Sequence, residues 1–301
     1  MTLNELRFII AVAQQRNFRR AAEQVYISQP ALSLAIQKLE QELGVQIFER
    51  GKNDIGITPV GTAIIEQAQR VLEEAEQIRS IAAQGKNQLN APLRVGIIYS
   101  VGPYLLPDLI PALKKVAPHM ALEVEENITA NLETLLRNGK LDVIIIALPF
   151  GDTNIVTRAL YDEAFEVVVS NEHRWAKRRS IKPQELASEK VLLLDSGHCF
   201  SNQIAEACPD LQRRGADTQQ GTSLETIRNM VASGLGITVL PASANSARYR
   251  NRLLKVIPFT HPMPARRIAM AWRKSYARSQ AVEALAQAIA LTRITGISHL
   301  E

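Results

Sequence analysis

Only two cysteines occur in the 301 residues, Cys199 directly after His198, and Cys208. The apolar run Val191-Leu192-Leu193-Leu194 before them suits a buried strand ending in Asp195. From Phe200 to Ala207 the pattern turns helical, with Ile204 and Cys208 four apart and Pro209 blocking continuation. With Cys199 at the start of that helix and Cys208 at its end, about 13 Å of helix axis separates them. A disulfide needs Cα atoms closer than about 7 Å, so joining the two thiols requires the helix to unwind. A bond that forms only with local refolding is suited to a switch. A thiol at a helix N-terminus also faces the positive end of the helix dipole, and His198 offers a proton acceptor beside it. Two other readings stay open. A cysteine can serve as a small buried hydrophobe. Two cysteines and one histidine could also hold a metal, but this spacing matches no usual zinc pattern, so no metal site is expected.

The surrounding region must position these residues. Strands are expected at Leu93–Ile98, Leu122–Glu125, Val143–Ala147, Phe165–Val169, Val191–Leu194, Ile237–Leu240 and Ile268–Trp272. Helical patterns lie around Tyr104–Val116, Asn131–Asn138, Ser223–Ser233 and Ala281–Thr292. The alternation predicts an α/β domain with largely parallel sheets, whose ligands bind beyond the carboxyl ends of strands. Ser100-Val101-Gly102-Pro103 and Thr129 occupy such places. Gly234-Leu235-Gly236 is no dinucleotide fingerprint, since no strand leads into it and a third glycine is missing. No cofactor is expected.

Length suggests about two domains. A hydrophobic content of 46% allows a full core, and a net charge of +5 suits an anionic partner. The N-terminus lacks the basic start and apolar run of a signal peptide, and no apolar stretch approaches the length needed to span a bilayer. A cytoplasmic protein without membrane contact is expected, and a disulfide there would be transient and regulatory.

Upstream, Leu6, Ile9, Ile10 and Ala13 mark a first helix, and Asn17 can cap a second over Phe18–Gln24. Ser28, followed by Gln29-Pro30, opens a third, with Leu32, Ile36, Leu39 and Leu43 on one buried stripe and Gly44 ending it. Gln29, Pro30, Ser33 and Gln37 fall on the other side. This is a helix-turn-helix pattern, whose second helix presents its N-terminal residues to base edges in the major groove. Ile47–Arg50 and Ile55–Thr58 predict a wing that would lay Arg50 and Lys52 on phosphate or in the minor groove; Arg19, Ser28, Gln29, Pro30, Ser33 and Gln37 complete the expected contact set. Seven bases against six acids in residues 1–58 would not alone have suggested DNA. Thr58-Pro59 then opens a long helix in which Ile64, Ala68, Val71, Ala75, Ile78 and Ala82 repeat at spacings of four and three. That heptad stripe predicts a partner helix, with Ile64, Ala68, Val71, Ala75 and Ile78 as the dimer seam. Gly85 to Asn90 form a hinge. The expected domains are 1–58, a winged helix-turn-helix; 59–90, the linker helix and hinge; and 91–301, the regulatory domain.

Phe18-Arg19-Arg20-Ala21-Ala22, Ile27-Ser28-Gln29-Pro30-Ala31-Leu32-Ser33, Lys38-Leu39-Glu40, Leu43-Gly44-Val45 and Thr58-Pro59-Val60-Gly61 together resemble the LysR-type transcriptional regulators over the whole chain. Gly197-His198-Cys199 with Cys208, Tyr161-Asp162-Glu163, Thr222-Ser223-Leu224-Glu225-Thr226 and Val231-Ala232-Ser233-Gly234 are similar to the family's hydrogen-peroxide-sensing members. The resemblance implies a periplasmic-binding-protein-like sensor of two subdomains, about 92–161 with 268–301, and about 162–267. It implies that Cys199 reacts with hydrogen peroxide to a sulfenic acid and Cys208 resolves it as a disulfide. Ser100, Thr129, His198 and Arg266 would line the peroxide pocket. It further implies a dimer of dimers on operator DNA that recruits RNA polymerase and activates antioxidant genes. Ser100 stands where threonine is more frequent, Ser201 where arginine is usual, and Ala31 where threonine is frequent. A competing expectation is a regulator of the same family that binds an organic effector in the interdomain cleft. A thiol peroxidase with turnover is a third, and the winged helix argues against an enzyme.

Overall fold

The computed structural model describes residues 1–50, 55–84, 88–151, 153–195, 198–209 and 218–300. The chain forms two compact units, Met1–Gly85 with Arg137–Gly139, and the remainder.

In the first unit, local capping sets each helix start. Helix α1 (Leu3–Gln15) opens on a capping box: Thr2 accepts from the Glu5 amide at 3.2 Å, and the Glu5 carboxylate accepts from the Thr2 amide at 2.7 Å. Asn17 caps α2 (Phe18–Gln24) by accepting from the Arg19 and Arg20 amides. Ser28 caps α3 (Gln29–Leu43), and Gly44, at φ 71°, ends it in the left-handed conformation that glycine adopts without strain. Leu6, Ile9, Ala21, Leu32, Ile36 and Leu39 form the core, which Ile47 and Phe48 join. Glu40 is buried and accepts from the Ile47 and Phe48 amides at 2.7 and 3.1 Å, fixing where the wing begins. Strand β1 (Phe48–Arg50) pairs antiparallel with β2 (Ile55–Ile57). Helix α4 (Pro59–Gln84) follows, with the Thr58 hydroxyl accepting from the Gly61 amide at 2.9 Å. A side chain at Gly61 would run into the Ile47 carbonyl, so helix and wing pack backbone to backbone there.

The second unit is built on strands. β3 (Leu93–Ile98) lies parallel to both β4 (Leu122–Asn127) and β5 (Val143–Ala147). Helices α5 (Gly102–Val116) and α6 (Thr129–Arg137) follow β3 and β4. β6 (Ile155–Ser170) runs through 16 residues, and β11 (Ala265–Arg273) pairs antiparallel with its first half and with β5. The second half of β6 pairs antiparallel with β9 (Ile237–Pro241) and β10 (Leu254–Pro258). β7 (Val191–Leu194) lies parallel to β9 and β8 (Thr218–Gly221), and β12 (Ile297–His299) pairs with β6. Helices α7 (Cys199–Ala207), α8 (Leu224–Ala232) and α9 (Ser279–Ala290) complete the described elements. Two cores result, one around β3, β5, α5 and α9, the other around β6, β7, β9, α7 and α8. These are two subdomains sharing one continuous strand, β6.

The expected strand Phe165–Val169 is thus only the end of β6, and the sheet is mixed rather than largely parallel. Thr157, Arg158, Asp162 and Glu163 hid the first half of β6 from a periodicity argument. The tertiary structure satisfies all three charges among them: Asp162 takes Arg267 at 2.7 Å, Arg158 takes Glu283 at 2.7 Å, and Glu163 takes Arg266.

Candidate functional site

Cys199 is the first residue of α7 and Cys208 the residue that caps its end, with no disulfide between them. Nine residues of helix place them about 13 Å apart along the axis. The half-buried Cys199 packs against the core of the first subdomain, whereas Cys208, 2% exposed, belongs to the core of the second. α7 has few restraints. His198 at its N-cap makes no side-chain capping bond, and only Phe200, Ile204 and the terminal Cys208 are buried. Ser201 donates to the Leu194 carbonyl at 2.7 Å, tying the first turn to the end of β7. The His198 imidazole Nε2 lies 3.2 Å from Asp195 Oδ1 and its ring 5.6 Å from that of Tyr99.

Arg266 occupies the centre of the arrangement. Its Nε donates to Glu163 Oε2 at 2.8 Å, its Nη1 to Ser100 Oγ at 2.7 Å and its Nη2 to the Ser100 carbonyl at 2.9 Å. Glu163 is fully buried, and its other oxygen accepts from the Ser243 amide at 3.1 Å. The Arg266 guanidinium carbon lies 5.0 Å from the centre of the Phe200 ring, next in sequence to Cys199. Ser100, Glu163 and Arg266 therefore join both subdomains to the start of α7. Nε, Nη1 and Nη2 of Arg266 thus each donate to a protein acceptor. The Thr129 hydroxyl is buried without a hydrogen-bond partner among the described residues, as is Glu126 Oε1, which lies against Gly102. Burial holds the Glu126 carboxyl above the usual carboxylate range. Glu126 did not stand out in the sequence, and Glu163 did so only within Tyr161-Asp162-Glu163, a stretch that carries the family resemblance; neither was expected in the site.

A second tie between the subdomains lies at α5. The Tyr104 hydroxyl donates to Glu225 of α8 at 3.1 Å, and the Tyr249 hydroxyl donates to the Pro103 carbonyl at 2.7 Å. Burial, reinforced by the Glu225 charge, raises the Tyr104 phenol well above its ordinary range. Among the described residues, no group of histidines, cysteines and carboxylates could hold a metal ion.

In the first unit Ser28, Gln29, Pro30 and Gln37 are exposed on α3 and Ser33 half-buried, opposite the buried Leu32, Ile36 and Leu39. Leu34, absent from the expected set, is 54% exposed on the same outward side. Arg19 is exposed and pairs with Glu23 at 3.3 Å. Lys52 and the Arg50 side chain lie outside the described residues. Along α4, Ile64, Val71 and Ala75 are half-buried and Ile78 is 70% exposed. Ala68 is buried with Ile65 in the core of this unit, against which Ile64 and Val71 also pack.

A winged helix followed by a long helix and a two-subdomain α/β unit defines a class of ligand- or signal-responsive DNA-binding regulators. Residues 3–62 match the bacterial regulatory helix-turn-helix protein family, lysR type, and residues 86–292 match the LysR substrate binding domain. The chain belongs to the LysR family of transcription regulators, which are not enzymes. It is closely related to OxyR proteins. The DNA-binding transcriptional dual regulator OxyR of Escherichia coli K12 is 38% identical over 96% of this chain and 95% of its own length. The full-length C199D variant of OxyR from Pseudomonas aeruginosa superposes with a TM-score of 0.78 at 49% identity, covering 100% of this chain and 99% of that one. A Corynebacterium glutamicum OxyR mutant with bound hydrogen peroxide has a TM-score of 0.64 at 34% identity, covering 96% and 91%. No helix among the described residues is long and apolar enough to cross a membrane.

Proposed function

We propose that this chain is a hydrogen-peroxide-responsive transcription activator switched by Cys199 and Cys208. The observation that carries the reading is the placement of two thiols at the ends of one lightly restrained helix, each against a different core. The Cys199 thiolate attacks one peroxide oxygen and the O–O bond breaks; the departing hydroxide takes a proton and leaves as water, and cysteine sulfenic acid remains. The Cys208 sulfur then displaces the sulfenic hydroxyl as a second water, leaving the disulfide. The pocket assigned to peroxide comprises Ser100, Thr129, His198 and Arg266. α7 must lose its helical order for the sulfurs to meet, and Cys208 must leave its core. The strain passes to α8, whose Glu225 holds Tyr104 of the other subdomain. Two arrangements of a dimer of dimers then differ in stability, and oxidation favours the one that recruits RNA polymerase.

In this reading residues 1–58 bind operator DNA, 59–90 pair two chains, and 91–301 sense peroxide. Ser28, Gln29, Pro30, Ser33 and Gln37 face the major groove, with Arg19, Arg50 and Lys52 on phosphates. Ile64, Ala68, Val71, Ala75 and Ile78 form the seam between α4 helices. The test is mass spectrometry of the thiols after peroxide, with operator footprinting. A Cys199–Cys208 disulfide and an altered footprint are expected; peroxide-dependent footprinting without that disulfide would defeat the proposal.

A further inference from the structure

We propose that Tyr26, in the turn before the recognition helix, is a phosphate-contacting residue whose hydroxyl donates to the DNA backbone at the groove edge. The turn's geometry isolates it. Helix α2 ends with the Ile27 amide donating to the Ala22 carbonyl at 3.1 Å and the Tyr26 amide to the Glu23 carbonyl at 3.3 Å. Those two bonds are a Schellman closure, and they force the residue at Tyr26 into the left-handed region, here φ 58°. Glycine fits that position without strain, and α3 ends on Gly44 in the same conformation. A tyrosine there bears a steric cost that a folding requirement alone does not explain.

Nor does the ring recover that cost by burial. Tyr26 is 94% exposed, the most exposed of the large apolar side chains described. It lies two residues before Ser28, the cap of α3. A recognition helix that enters the major groove by its N-terminus brings the preceding turn to the groove edge, where phosphate oxygens accept hydrogen bonds from groups such as a tyrosine hydroxyl. The inference rests on DNA binding by this unit and not on the redox reading.

Full-length reduced protein, titrated with a labelled random-sequence duplex at several salt concentrations, tests it, because a phosphate contact is independent of sequence. Tyr26→Phe removes the hydroxyl alone and is expected to weaken binding about three- to ten-fold, as for one lost hydrogen bond. The salt slope should not change, since a neutral donor releases no counterion. Tyr26→Gly is expected to weaken binding at least as much while raising the thermal midpoint. Tyr26→Phe with the parent's affinity would overturn the proposal, as would Tyr26→Gly that binds normally or melts earlier. A parent protein without affinity for any duplex would instead strike at DNA binding itself.

Discussion

Helices α3 and α7 are the elements to which the two proposed functions are assigned, and they are restrained in opposite ways. α3 has 15 residues, a serine side chain accepting at its N-cap, a proline in its first turn and a left-handed glycine at its end. α7 has nine residues, no side-chain cap and no left-handed terminus. Leu32, Ile36 and Leu39 seat α3 in one core, whereas α7 has Cys199 against one core and Phe200, Ile204 and Cys208 in another. Reading DNA needs a surface that keeps its shape. Converting a chemical event into movement needs an element whose order costs little to lose.

The largest expected effect follows from removing the reactive sulfur. Cys199→Ser should hold transcription at its uninduced level after peroxide while leaving operator affinity unchanged in a binding assay. Equal loss of both would mean that α7 supports the whole fold rather than the signal.

Deleting a buried anchor from each helix sharpens the contrast. Leu39→Ala in α3 should cost about 2–5 kcal/mol of stability in the first unit and abolish operator binding. Ile204→Ala in α7 should instead speed disulfide formation after peroxide, because opening of the helix precedes the bond. Stopped-flow oxidation followed by thiol trapping measures this, and a slower disulfide would break the comparison.

Capping gives a smaller difference. Ser28→Ala should cost about 1 kcal/mol, seen in thermal unfolding of the first unit. His198→Ala removes no capping bond, so native-state exchange of the α7 amides should change less than exchange of the first turn of α3 does in Ser28→Ala.

The smallest effect concerns Glu126. Burial raises its pKa in the folded state, so folding favours the protonated carboxyl. Its stabilising contribution is complete below the unfolded carboxylate range and falls as pH rises through the folded value. Glu126→Gln should therefore raise the melting temperature at pH 8 relative to the parent, and the gap should narrow as pH falls toward 4. A gap independent of pH would assign the effect to packing.

The sequence by itself determined whatever depends on near neighbours. Asn17, Ser28 and Gly44 mark helix ends because capping bonds span only a few residues. The apolar stripe of α3, the wing strands and the run Pro59 to Ala82 were legible for the same reason, and so was a helix between the two cysteines. The tertiary structure decided whatever depends on residues far apart in the chain. Arg266 meets Ser100 across 166 positions and Glu163 across 103, and neither pairing leaves a local pattern. Charged residues concealed the first half of β6 until their partners were in place. Ala68 has the spacing of a seam residue, and only the tertiary structure shows it buried in the core of its own unit. The two thiols belong to different cores, which no spacing reveals: burial is settled by which surfaces the folded chain brings together.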